Sequence, residues 1–412
     1  MKLLASINPP SREHSINQAI IIEPSADGLM NQETIEKEFP IKRQTAYLNN
    51  ASYTPMFDSA ISEVSRQLRR FSENGPDDQY YLNFKTGASV AREKLAALLN
   101  ARAQGIVFAE SATQSINLVA NGFKFSKGDT IITRGGPTTE HPSDYLPWLY
   151  YASAKGVKIH DIQVDNAGVP NLAELDSAIR DTKAKMVVTS HVLYNLGTIE
   201  PVEEMCKIAH ERGAVFFLDV SQSVGNIRVD LGAIGCDFAA GTASKWLCGP
   251  LGVGFLYCRD EAADQLEPLN FGANATEYIN NLSYKVLSGA ARLQEGFRNW
   301  TYVHAFAVAM DVWNGFGLKE IRETDMRLAL SIVDRIAEVK NAYRLLVDSH
   351  DGRRTCIIPI EAIKESPSDV VNRALKARVT IAQREFGEKK ILRISPHFYN
   401  DEREIERLFE VL

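Results

Sequence analysis

The chain has 412 residues, 45% of them hydrophobic and 24% charged; this is a globular composition, and at ~150 residues per domain it predicts two or three domains. With 46 Lys and Arg against 52 Asp and Glu, the formal charge is -6, which excludes the basic footprint that nucleic acid requires. Five cysteines without a CxxC pair, no apolar run of the ~20 residues a membrane span needs and a poor signal-peptide start lead us to expect a cytoplasmic enzyme, in a reducing compartment, with no nucleic-acid or membrane partner.

Residues 1–45 are polar and broken by proline, apart from Ala19-Ile20-Ile21-Ile22. They read as an N-terminal extension that packs with the small C-terminal unit described below. From Ile106 onward, short apolar runs recur at Ile106–Ala109, Thr130–Thr133, Met186–Thr189, Val215–Leu218 and Val253–Tyr257. Segments of helical period separate them; one follows Pro201 and stops at Gly213, with proline near the start and glycine past the end. Strands apolar on both faces, alternating with amphipathic helices, predict a mostly parallel sheet covered on both sides. After Tyr302 the texture changes to a long helix over 318–339, strands near 344–347, 356–360 and 391–394, and a charged final helix. The reading is an α/β large domain over 46–302 and a smaller α+β domain over 303–412.

Asp219 ends one apolar run, and Gln222 follows three positions later. Alone, such an aspartate is most often a cap or loop residue. Lys245 stands beside Trp246, where a lone lysine is most often a surface residue that snorkels. Gly252-Val253-Gly254 leads into a strand instead of opening a helix, so it fails the context test for a dinucleotide loop.

Together the blocks are specific. Asp219-x-x-Gln222, then Thr242-Ala243-Ser244-Lys245, then Gly249-Pro250-x-Gly252-x-Gly254 resembles the aminotransferase class V family, which uses pyridoxal 5'-phosphate (PLP) and includes the cysteine desulfurases. Four further blocks resemble it in the right order: Tyr47-Leu48-Asn49-Asn50-Ala51, Glu110 to Asn117, Thr139-Glu140-His141-Pro142 and Arg393 to Asn400. The resemblance implies the fold-type-I architecture of PLP-dependent transferases and the following roles. Lys245 holds the cofactor aldehyde as a Schiff base and, once released, moves the substrate's α-proton. Asp219 faces the pyridine nitrogen and keeps it protonated, Gln222 bonds the phenolic oxygen, and His141 stacks on the ring. Ala112 and Thr113, at a helix N-terminus, hold the phosphate with the hydroxyls of Thr242 and Ser244; Thr113 alone would read as an N-cap. Asn195 reaches the cofactor oxygen or the substrate. Arg393 grips the substrate carboxylate, with Asn50 and Ala51 at the substrate side. No metal is implied.

The chain departs from the family pattern in places. Cysteine desulfurases carry a nucleophilic cysteine shortly before the C-terminal arginine, whereas 379–390 here has none. Ser244 replaces the histidine found before the lysine in desulfurases. Phe297 replaces a threonine that reaches the neighbouring subunit's phosphate; Arg298 is the candidate substitute. Tyr194-Asn195 fits the carbon–sulfur lyases of the family better than the desulfurases. The expectation is therefore carbon–sulfur β-elimination on an L-amino acid or cysteine conjugate, without persulfide formation. Transamination or epimerisation is the alternative, and a non-catalytic scaffold a remote one. A homodimer sharing its active sites through the segment 272–299 is also expected.

Overall fold

Runs of Val, Ile, Leu and Phe place the central strands of this protein, for which a computed structural model describes residues 32–76, 78–136, 138–280, 282–296, 299–347 and 352–412. Seven of those strands form one sheet: β1 (Ile106–Ala109), β2 (Thr130–Arg134), β3 (Lys158–Ile162), β4 (Met186–Ser190), β5 (Val215–Asp219), β6 (Phe238–Thr242) and β7 (Gly254–Cys258). Their spatial order is β1-β7-β6-β5-β4-β2-β3. Only β7 runs antiparallel to its neighbours, so the sheet is mostly parallel, as the sequence predicts. Alternate residues of β5 enter different cores, with Phe216 and Leu218 on one side and Phe217 on the other. That two-sided burial explains why its sequence is apolar without alternation. The edge strand β3 reads Lys-Ile-His-Asp-Ile and is largely exposed, which is why no apolar run marked it.

Helices cover both faces. The helix Trp300–Phe316 is buried almost all round because it packs against both Asp58–Asn74 and Asp78–Leu98. A second, four-stranded antiparallel sheet comprises β8 (Tyr343–Leu345), β9 (Ile358–Ala362), β10 (Ala382–Phe386) and β11 (Lys389–Ile394), in the order β8-β9-β11-β10. Helix Leu318–Glu338 sends Leu328, Ile332 and Ile336 into its core.

The segment after residue 45 joins this second sheet to the first. Ala46 and Tyr47 pair in parallel with Val379 and Thr380, and Asn49 bridges to Ser395. Before it, Phe39 stacks on Tyr399 with centroids 4.1 Å apart, and Lys42 ion-pairs with Asp401 and Glu404 at 3.2 and 2.9 Å. The apolar patch at 19–22, like Phe297 and Arg298, lies outside the described residues. The segment 272–299 contains an antiparallel hairpin, Thr276–Asn280 with Ser283–Val286. No described helix is long and apolar enough to cross a membrane.

Candidate active site

In an open parallel sheet, the strand C-termini face a crevice. Here Ser190 ends β4 and Asp219 ends β5 directly beside it in register. Above them opens a cavity of about 380 Å³, lined among others by Ala51, Ser52, Ala112, Thr113, His141, Tyr194, Asp219, Gln222, Thr242, Ser244, Lys245, Arg384 and Arg393. Residues from all seven sequence blocks thus meet in one place.

At one end lies the N-terminus of the helix Ala112–Gly122, capped by Ser111, whose Oγ accepts from Gln114 N at 3.1 Å. The cap is Ser111 and not Thr113, leaving Thr113 inside the first turn. The amides of Ala112 and Thr113 belong to the four that a helix cannot satisfy internally. Thr242 and Ser244 bring hydroxyls 3.0 Å apart. Gly254 lets β7 pass close to the cap, since a Cβ there would sit 2.3 Å from the Ser111 carbonyl carbon.

In the middle, Asp219 Oδ1 accepts from Ser221 N at 2.7 Å. Burial raises its pKa, against the opposing pull of the Lys245 charge. Burial brings Lys245 down to about 8; Asp219 resists that shift, while Arg393 and Arg384 add to it. His141 caps the helix Pro142–Lys155 with Nδ1 accepting from Ser143 N at 3.1 Å, which leaves the ring proton on Nε2. Burial, with the charges of Lys245, Arg393 and Arg384, lowers its pKa to about 3. A neutral imidazole results, suited to lie on an aromatic ring. Gln222 donates to Ala51 O at 2.8 Å and accepts from Trp246 Nε1 at 2.9 Å, so its amide is fixed in orientation at the cavity wall.

Two expected residues go elsewhere. Asn195 is fully buried and does not line the cavity; its Nδ2 donates to Thr138 O at 3.2 Å and Glu385 O at 2.9 Å. Its neighbour Tyr194 takes the place in the wall, edge-on to His141 at 4.9 Å. Asn50 is likewise buried, donating to Ser395 O at 2.9 Å and accepting from Tyr399 Oη at 2.7 Å. Each Nδ2 serves backbone carbonyls, which asparagines in turns commonly do, whereas Asn195 Oδ1 is buried without a hydrogen-bond partner. Sequence reasoning missed Ser52 and Arg384. Arg393 lines the cavity, 1% exposed, donating to Tyr194 O at 2.7 Å.

The residues present fit PLP: an anion site at the helix end, a carboxylate and a lysine between, and a buried guanidinium beyond. Ser221 Oγ, which lies beside Asp219 in the wall, is buried without a hydrogen-bond partner, a group that a bound molecule can satisfy. The fold and this cavity define a PLP-dependent enzyme of fold type I. The chain belongs to the aminotransferase class-V family, whose pattern matches residues 46–408.

The chain is 30% identical over 405 residues to a probable cysteine desulfurase of Methanothermobacter thermautotrophicus, covering 93% of this chain and 98% of that one. It is 28% identical to isopenicillin N epimerase of Amycolatopsis lactamdurans, covering 89% and 94%. Among solved structures, the apo cysteine desulfurase of Thermococcus onnurineus NA1 superposes with a TM-score of 0.84 at 25% identity, covering 92% and 96%. The first and third of these likenesses correct the expectation of a lyase that does not form persulfide: one protein is named a probable cysteine desulfurase and the other a cysteine desulfurase, despite the absence of a cysteine in 379–390 of this chain. Residues 382–394, where the family pattern leads one to expect a cysteine, form the tight β10–β11 hairpin, and a cysteine absent from one segment does not by itself decide the chemistry.

Proposed function

We propose that this enzyme withdraws sulfur from L-cysteine or a cysteine derivative and passes it to a thiol as a persulfide. The observation that carries the reading is the single cavity in which Lys245, Asp219 and His141 face Arg393, in a chain similar over nearly its whole length to a protein named probable cysteine desulfurase. When bound, PLP supplies an aldehyde and an electron-accepting ring. Ala112, Thr113, Thr242 and Ser244 hold its phosphate, Asp219 keeps a proton at its ring nitrogen, and His141 covers its face. Arg393 orients the substrate carboxylate. Lys245 Nζ takes the proton from the α-carbon, a task for which a pKa near 8 suits an amine.

All five cysteines are buried, and none lines the cavity. Burial raises every one of their pKa values, which disfavours the nucleophilic thiolate. The acceptor thiol therefore comes from outside the chain. The substrate's Cβ–S bond breaks, the carbon keeps the electron pair and gains a proton, and a new S–S bond forms on the acceptor. Cysteine and thiol become alanine and a persulfide.

The functional unit in this reading is a homodimer. The hairpin at 276–286 presents Tyr278, Ile279, Leu282 and Tyr284 outward, with Leu282 96% exposed, an apolar patch that a second copy would cover. To test the chemistry, cofactor-loaded protein is incubated with L-cysteine and excess dithiothreitol. Alanine and reducible sulfur in equal amounts support the proposal. Pyruvate with ammonia, or D-cysteine without sulfur release, would refute it.

A further inference from the structure

We propose that Arg384 makes the cavity selective for amino acids that carry a second anionic group beyond the β-carbon. The proposal takes from the functional reading the assignments of Arg393 to the α-carboxylate and of the cofactor's phosphate to the helix end at Ala112 and Thr113. Arg384 stands on β10 opposite Ile391, and Arg393 on β11 opposite Ala382. Residues two apart on one strand share a face, so the two arginines are diagonal neighbours on the same side of the hairpin. Only Gly387 and Glu388 separate the strands, with Gly387 at φ +58°. A turn this tight holds Arg384 on a fixed strand, not on a mobile loop.

The side chains meet at one atom. Arg384 Nη2 donates to Ser52 Oγ at 2.5 Å, and Arg393 Nη2 donates to the same oxygen at 2.6 Å. Ser52 in turn donates to Asn49 Oδ1 at 2.8 Å, so both lone pairs and the proton of its hydroxyl are used. The other partners of the two guanidiniums are the carbonyls of Gln383 and Tyr194 and the amide oxygen of Asn49. Among the described residues, no carboxylate bonds to either. Arg393 Nε is buried without any partner.

Two adjacent cations in a partly dry cavity repel each other unless anions join them. The cofactor's phosphate belongs to the helix end at Ala112 and Thr113, away from this pair. One α-carboxylate brings a single charge for two guanidiniums, each shaped to take a carboxylate with two hydrogen bonds. A second anion on the substrate completes the set. Arg393 is fully buried and Arg384 only half-buried, so the α-carboxylate lies deep and the second group nearer the mouth.

The test is equilibrium binding, which needs no turnover. Cofactor-loaded protein is titrated with S-carboxymethyl-L-cysteine and with its neutral counterpart S-carbamoylmethyl-L-cysteine, by cofactor absorbance and by calorimetry. Wild type should bind the charged compound at least tenfold more tightly. Arg384→Gln should erase that preference while leaving the neutral compound's Kd within about threefold, and Arg393→Gln should weaken both. Equal affinities in wild type, which involve no variant, would overturn the proposal. So would an Arg384→Gln protein that weakens both ligands alike, because Arg384 would then share the α-carboxylate. A protein that prefers the charged compound yet releases no sulfur from cysteine leaves this proposal standing and sinks the desulfuration reading.

Discussion

Lys245 can join an aldehyde only through its neutral amine, so the pH at which that amine forms is a direct test of the site's electrostatics. Burial brings its pKa from 10.5 to about 8, with Arg393 and Arg384 lowering it further and Asp219 raising it. At pH 7 an amine of pKa 8 is about one-tenth neutral, whereas one of 10.5 is neutral in only about three molecules in 10,000, a difference of roughly 300-fold in reactive form. Mixing apoprotein with PLP and following the absorbance change should give a rate that climbs about tenfold per pH unit at low pH and levels off above about 8. Nα-acetyl-lysine, run beside it with the same aldehyde, removes the cofactor's own ionisations from the comparison. Asp219→Asn deletes the one charge that favours the ammonium, so its inflection should move to lower pH. Arg384→Gln deletes a charge that opposes the ammonium, so its inflection should move up. A rate that climbs without inflection to pH 10, or variants that shift in the opposite directions, would refute the reasoning.

Three further outcomes are expected. Lys245→Ala should form no borohydride-reducible adduct with PLP, measured by mass spectrometry of the intact chain; an adduct of the same yield would reassign the lysine. Asp325→Ala removes the carboxylate that lies 3.1 Å from Nδ1 of the buried His397 and should cost about 1–3 kcal/mol by denaturant unfolding, the cost of leaving a buried polar group unsatisfied; no measurable loss would mean that His397 is satisfied without it. Leu282→Asp should shift sedimentation at low micromolar concentration from dimer toward monomer, and an unchanged wild-type monomer would remove the hairpin from any interface.

The central sheet was legible because its strands are buried on both faces, so Phe216-Phe217-Leu218 shows no alternation to misread. Strand β3 was not legible, because an edge strand with Lys158, His160 and Asp161 exposed has little apolar signal. The cavity's lining was legible because the family pattern sets rare types in a fixed order: an aspartate on a strand end, then hydroxyls and a lysine side by side. Asn50 and Asn195 fit the same pattern on paper, yet neither lines the cavity, and the Nδ2 of each is bound by neighbouring backbone. Nothing in residue identity distinguishes a buried amide that serves a turn from one that serves a ligand. Arg384 lies in a polar stretch, 383–390, that matches no block of the family pattern. The available signal was the Gly387-Glu388 pair between two runs of strand length, which marks a two-residue hairpin turn and would have put Arg384 beside Arg393.

The lysine's fixed position depends on groups far from the cofactor in sequence. Trp246, next in the chain, is fully buried; its indole N–H bonds Gln222, which in turn bonds Ala51 O at the cavity wall. Its carbonyl accepts from Trp313 Nε1 at 3.1 Å and lies 3.1 Å from His397 Nε2. The other nitrogen of His397 lies 3.1 Å from both oxygens of Asp325. Asp325 comes from the helix Leu318–Glu338 and His397 from the chain just after β11, so the second sheet's unit grips the residue beside the lysine of the first. None of these groups is left without a partner for the bonds described, and a buried network that is fully satisfied specifies one arrangement. Removing Asp325 frees the imidazole to turn, and the carbonyl it held can then drift. Such a drift should leave Lys245 chemically intact but misplaced, and a 1 Å misplacement can cost on the order of 100-fold in rate. The site is therefore built by packing as much as by its reactive residues.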